Sequence, residues 1–218
     1  MLFRMTFLFL LASCSLFRGT PSLENLDKEK LLEAVKLTGE GKGRLTLGQS
    51  QYLFSVDSVL NESQDWILAV TIPLHGEEVM ILPNLKLANV DDAETESFEA
   101  RIRNEFKRLK LNEIITSVDF MKELRSLIRF NLAPQWGQKR SCKAQQSEFI
   151  CEIDGEKYLV ETTKSELKIT KNLGPEKSLQ LVAKNLTDSF FTQNEIRLTT
   201  SSNEKNKTPA PVSLELFW

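Results

Sequence analysis

An α+β fold, mostly antiparallel sheet with two helices, is what the sequence predicts, and three observations carry that reading. Apolar and polar residues alternate with a period of two through most of the chain, the signature of half-buried strands. Two segments instead repeat apolar residues at helical spacing. No stretch is rich enough in Gly or Pro to separate two domains, and no internal repeat is present. Strand follows strand with short loops, so the sheet is predicted to be an antiparallel meander.

The elements follow in order. Leu23, Leu26, Leu31, Ala34, Val35 and Leu37 share a broad helical face over about 23–38. Ser22 is placed to cap that helix and Gly39 to end it. Period two then takes over in 43–47, 52–58, 65–72 and 78–82, with turns at 48–50 and 61–64 and a break at Pro73 to Gly76. Residues 98–102 alternate like a strand, although 98–111 also fits a helix. Thr116 and Asp119 resemble a capping box, and Phe120, Leu124, Leu127 and Ile128 repeat at helical spacing until Pro134. Strands return in a hairpin bearing Cys142 and Cys151, then in 157–160, 166–170, 179–183, 194–198 and 212–218.

Composition narrows the chemistry. With 218 residues, 41% of them hydrophobic and 27% charged, the chain can bury a core. It carries 28 Lys+Arg against 30 Asp+Glu, which gives no basic field for a nucleic acid. One His and three Cys leave little material for a metal site. His75 stands beside Gly76 in a loop and has no sequence partner for catalysis. The carboxylates show no paired acid/base spacing. Arg101, Arg103, Lys107, Arg108 and Lys110 are interrupted by Glu99 and Glu105 and read as a solvated face. No catalytic residue, metal ligand or cofactor is expected.

The N-terminus reads as an address. Arg4 and the apolar run 5–12 have the size of a signal peptide, too short to span a bilayer, which takes about 20 residues. Leu11-Ala12-Ser13-Cys14 looks like the lipobox of bacterial lipoproteins. That likeness implies removal of residues 1–13, lipidation of Cys14 and a lipidated tether over 14–22, leaving 23–218 as one domain. Ser15, a residue other than Asp, implies the outer membrane, with the body facing the periplasm.

The other two cysteines fit that compartment. A two-residue turn at Gln146-Ser147 sets Cys142 directly opposite Cys151 on a non-hydrogen-bonded pair. An oxidising compartment favours a disulfide there over two free thiols.

The strands also place large apolar side chains on common faces: Tyr52, Phe54 and Val56; Trp66, Leu68, Val70 and Ile72; Leu179 and Leu181; Ile196 and Leu198; Leu214, Leu216 and Trp218. A sheet this long must curl. Its interior is then either a packed core or a space partly open to a fatty ligand, and alternation alone does not separate the two.

The run from Gly43-Arg-Leu-Thr-Leu47 through the aromatic strand ending at Val56 to Trp66-Ile-Leu-Ala-Val-Thr-Ile-Pro-Leu-His-Gly-Glu-Glu-Val-Met-Ile-Leu82 resembles the outer-membrane lipoprotein receptor family LolB. The order of elements over 23–218, the lipobox and a final strand bearing Trp are similar to that LolA/LolB-like group. His75 between Leu74 and Gly76, the 89–112 region and the cysteine hairpin depart from it. The resemblance implies a curved antiparallel half-barrel covered by helices, with the apolar strand residues named above binding acyl chains. It also implies that Leu74 is an exposed loop residue acting in membrane transfer. Its partners would be the acyl chains of lipoproteins, received from a soluble periplasmic carrier and passed to the outer membrane, without bond-making chemistry. The other reading is a structural or protein-interaction lipoprotein of the same fold with a filled core.

Overall fold

The computed structural model describes residues 28–47, 49–73, 76–88, 120–145, 148–163, 165–174, 177–187, 189–200 and 212–218. The segment predicted to be a signal peptide, Cys14, the predicted helix start at Ser22 to Leu26, Leu74, His75 and the 89–119 stretch with its basic residues lie outside the described residues.

Among the described residues the chain forms helix α1 (Lys28–Glu33), strands β1 (Gly39–Leu47), β2 (Ser50–Leu60), β3 (Trp66–Ile72) and β4 (Gly76–Leu82), and helix α2 (Phe120–Leu132). A 3-10 turn (Ala133–Trp136) then leads to β5 (Ser141–Gln145), β6 (Glu148–Ile153), β7 (Glu156–Thr162), β8 (Glu166–Gly174), β9 (Lys177–Thr187), β10 (Phe190–Thr200) and β11 (Val212–Phe217). All strands join one eleven-stranded sheet in the order β4-β3-β2-β1-β11-β10-β9-β8-β7-β6-β5. Every neighbouring pair is antiparallel. Two meanders, β1–β4 and β5–β11, are therefore sewn together by β1 and β11.

This corrects the predicted fold class. The molecule is a mostly-β open sheet, not an α+β half-barrel covered by helices. The strands run longer than the alternation suggested: β9 runs on through Asn185 to Thr187, β10 begins at Phe190 rather than Asn194, and β1 begins at Gly39. Among the described residues the helices are small by comparison. Ten strand spacings make a sheet ~48 Å wide, while the 13 residues of α2 reach ~20 Å. Such a helix fills part of one face and cannot roof the sheet. Helix α1 stops at Glu33, before the Gly39 predicted to end it. Val35 and Leu37 leave the helix yet remain buried.

The inner face carries the core. Leu45, Val56, Leu68, Tyr158, Val160, Ile169, Leu181 and Ile196 belong to one continuous cluster with Leu124, Leu127, Ile128 and Phe130 of α2. Helix α2 ties the two flanks of the sheet together. The Arg125 guanidinium donates to the carbonyls of Asn84 (3.0 Å) and Leu87 (2.7 Å), just beyond β4. One turn on, Arg129 pairs with Asp154 in the β6–β7 turn. Because β4 and β6 lie near opposite ends of the strand order, the sheet is bent around α2 while its ends stay unjoined.

Candidate functional site

The residues predicted to bind acyl chains converge on the inner face. Val56, Trp66, Leu68, Leu179, Leu181, Ile196, Leu198 and Leu216 are buried members of the common core, and Trp66 is fully enclosed. Phe54, Val70, Leu214 and Trp218 are partly buried against it. Tyr52 differs: near the end of the pair where β1 leads into β2, opposite Leu45, it is 49% exposed. The backbone of Ile72 ends β3 opposite Gly76. The buried members share one cluster with Leu124, Leu127, Ile128 and Phe130 of α2, as expected when apolar faces close on themselves.

Cys142 and Cys151 are joined by a disulfide across β5 and β6, and they stand directly opposite in the strand register. The pairs Gln145/Glu148, Ala144/Phe149 and Lys143/Ile150 complete the hairpin.

One cluster escaped the sequence reading. Lys171 on β8 is nearly buried and pairs with Glu123 of α2 and, at 2.9 Å, with Glu156 of β7. It also donates to the Ser126 hydroxyl at 3.0 Å, and Ser126 contacts the buried Tyr158 hydroxyl. Tyr158 donates to the Ser126 carbonyl at 3.0 Å and stacks on Phe130, with ring centroids 4.1 Å apart. Serine, lysine and tyrosine within hydrogen-bond reach resemble a nucleophile with its base, but the electrostatics oppose that role. Burial alone would lower the Lys171 pKa. Hydrogen bonds to Glu123 and Glu156 more than reverse this and raise it. A lysine held charged has no free pair to take a proton from Ser126, so the cluster acts as an ionic latch between α2 and the sheet. Its signal was in the sequence: Lys171 occupies the same strand face as Leu167 and Ile169, an apolar register in which a lysine needs partners.

The outer face is different in kind. Val59, Ile67 and Ile81 stand opposite one another across β2, β3 and β4, and Ala69 pairs with Val79 in a neighbouring row. Val59, Val79 and Ile81 are each more than 40% exposed, and Leu53 on the same face is 68% exposed. Beside Leu53 lies an open hollow of about 320 Å³ lined by Gly41, Lys42, Gly43, Arg44, Leu53, Phe217 and Trp218. Arg44 pairs there with Glu215, which also takes Arg197 at 3.1 Å. The Arg44 guanidinium lies 5.3 Å from the Phe217 ring centroid. Apolar rows bounded by a charged ladder are thus left uncovered on this face.

Among the described residues no group of three or more His, Cys, Asp or Glu is placed to hold a metal. No described helix is long and apolar enough to cross a membrane.

No family model matches the chain, and no curated protein matches it. Among solved structures, it is similar to a protein of unknown function from the DUF3598 family of Nostoc punctiforme, at 8% sequence identity. That likeness covers 83% of this chain and 46% of the other, so this chain spans about half the length of its neighbour. The TM-score is 0.26, at which the two are not shown to share a fold.

Proposed function

We propose that the chain is a lipid-anchored protein-interaction module that works by binding at its outer sheet face. Support for the anchor comes from the sequence: the Leu11-Ala12-Ser13-Cys14 string resembles a lipobox with Cys14 as the lipidated residue, and Ser15 after it favours, by analogy with that class, the outer membrane with the body in the periplasm. The single observation that carries the binding reading is the contrast between the two faces. The inner residues Trp66, Leu68, Leu179, Leu181 and Ile196 are enclosed, whereas Val59, Val79, Ile81 and Leu53 are left open to solvent. Exposed apolar rows rimmed by charge are the usual composition of a contact surface. Acceptance of lipoprotein acyl chains from a carrier would instead require the core around α2 to open.

The test uses protein lacking residues 1–14 and a fluorescent fatty acyl probe. A folded sample is expected to take up no probe. Uptake that a lipoprotein displaces would overturn the interaction reading and restore the acceptor one. The anchor is tested separately by Cys14→Ala in cells, which is expected to lose palmitate labelling and leave the membrane fraction. Retained labelling would refute it.

A further inference from the structure

Among the eleven strands, β5 alone has no buried residue. All five of its residues are exposed, whereas its neighbour β6 sinks Cys151 and Ile153 into the core. The inner-facing side chains of β5 are Cys142 and Ala144, set opposite Cys151 and Phe149. Packing therefore contributes almost nothing to holding β5. Its ladder hydrogen bonds to β6 are offset by the entropy of ordering five exposed residues. What remains is the covalent link.

The chain on either side is fixed. Arg140, immediately before β5, is buried and donates to the Phe130 carbonyl at 3.2 Å, with its guanidinium 5.3 Å from the Phe130 ring centroid. Beyond the hairpin turn, β6 is paired along its length with β7. A bounded segment between Arg140 and Glu148 is thus held at both ends and latched in the middle by one bridge.

We propose that the Cys142–Cys151 disulfide is a redox latch for this sheet edge. Reduction by a dithiol releases β5 and bares the β6 edge while the rest of the fold stays intact. A thiolate of the dithiol attacks Sγ of exposed Cys142, the Cys142–Cys151 bond breaks, and Cys151 departs as a thiolate that takes up a proton. The second thiol then attacks the mixed disulfide, frees the Cys142 thiol and closes the reductant's own disulfide. Two electrons and two protons pass to the protein, and the dithiol is oxidised.

Amide hydrogen exchange on the whole chain, oxidised and in dithiothreitol, tests the proposal. The β5 amides bonded to β6 are expected to exchange at least about tenfold faster after reduction, with α2, β8 and β9 unchanged. Cys142→Ser should reproduce the reduced pattern without placing a hydroxyl in the core, since Cys151 stays in place. In reduced protein, alkylation should be fast at Cys142 and slow at Cys151. Unchanged β5 protection would overturn the latch. So would protection lost throughout β7–β9, which would make the bridge a support of the whole fold. Free thiols at both Cys142 and Cys151 in unreduced protein would overturn it as well.

Discussion

Trp218 and Ser58, 160 positions apart, are joined by a hydrogen bond in which the indole N–H donates to the hydroxyl over 2.7 Å. Ser58 in turn donates to the Leu37 carbonyl at 3.0 Å, and the indole of Trp66 donates to that same carbonyl at 2.9 Å. The two indole rings meet edge to face, with centroids 6.0 Å apart. This relay fastens the chain after α1 to β2, β3 and the end of β11, where the two meanders are joined.

Because the relay is shared, its members should not act independently. Ser58→Ala removes one donor to the Leu37 carbonyl and the acceptor for Trp218, with an expected loss of about 1–2 kcal/mol. Trp218→Phe keeps a ring but deletes the N–H, with a loss of about 1–3 kcal/mol once the changed packing is included. Urea unfolding of both single variants and the double variant should show a coupling of about 0.5–1 kcal/mol. Strict additivity would mean that the hydrogen bond contributes nothing in solution.

The seam itself depends on two glycines. A Cβ on Gly41 would lie 2.0 Å from the Phe217 carbonyl oxygen, and one on Gly43 would lie 1.8 Å from the Phe54 ring. The first obstacle is backbone that is paired in the ladder; the second is a half-buried side chain able to swing aside. Gly41→Ala should therefore cost more than Gly43→Ala, the latter losing about 1–3 kcal/mol. Adding Phe54→Leu should recover part of the Gly43→Ala loss and none of the Gly41→Ala loss. Equal costs, or rescue of both, would show that the seam yields in another way.

The fold was legible where period-two alternation is bounded by turn residues. Strands β2 to β4 and β6 to β9 fall on the predicted segments, and the register of the cysteine hairpin follows from a two-residue turn. Strand ends were not legible: Gly39 read as a helix stop and the first strand as starting at Gly43, yet Gly39 and Gly41 both belong to β1, because pairing with β2 outweighs the low strand preference of glycine. The end of the first helix was misplaced because α1 leaves helical geometry at Ala34 while Val35 and Leu37 stay buried for tertiary reasons. The faces carrying Trp66 and Leu181 could be read from alternation, but whether they enclose a space depends on how far the sheet bends. Arg125 and Arg129 set that bend through contacts 25 to 41 residues away in sequence. The Lys171 cluster is likewise a product of the bend, since Glu123 and Ser126 reach it only from α2.

That cluster makes stability fall in alkaline solution. Burial pushes the Tyr158 hydroxyl from its ordinary value near 10 up to about 12, against the lowering effects of the Ser126 hydrogen bond and the Lys171 charge. Lys171 is also raised, burial being outweighed by Glu123 and Glu156. In both cases the folded state keeps its proton at a pH where the unfolded state has begun to lose it. The stabilisation is therefore complete below pH ~10 and is lost as pH rises through the folded values. For Tyr158 a shift of about two units corresponds to on the order of 2 kcal/mol. Urea unfolding at pH 8 and at pH 11.5 should show a decline of at least that size. Tyr158→Phe should be less stable at pH 8, having lost the Ser126 contacts, but should show a shallower alkaline decline. If the variant and the parent lose stability in parallel between those two pH values, the decline comes from elsewhere and Tyr158 does not ionise against the fold.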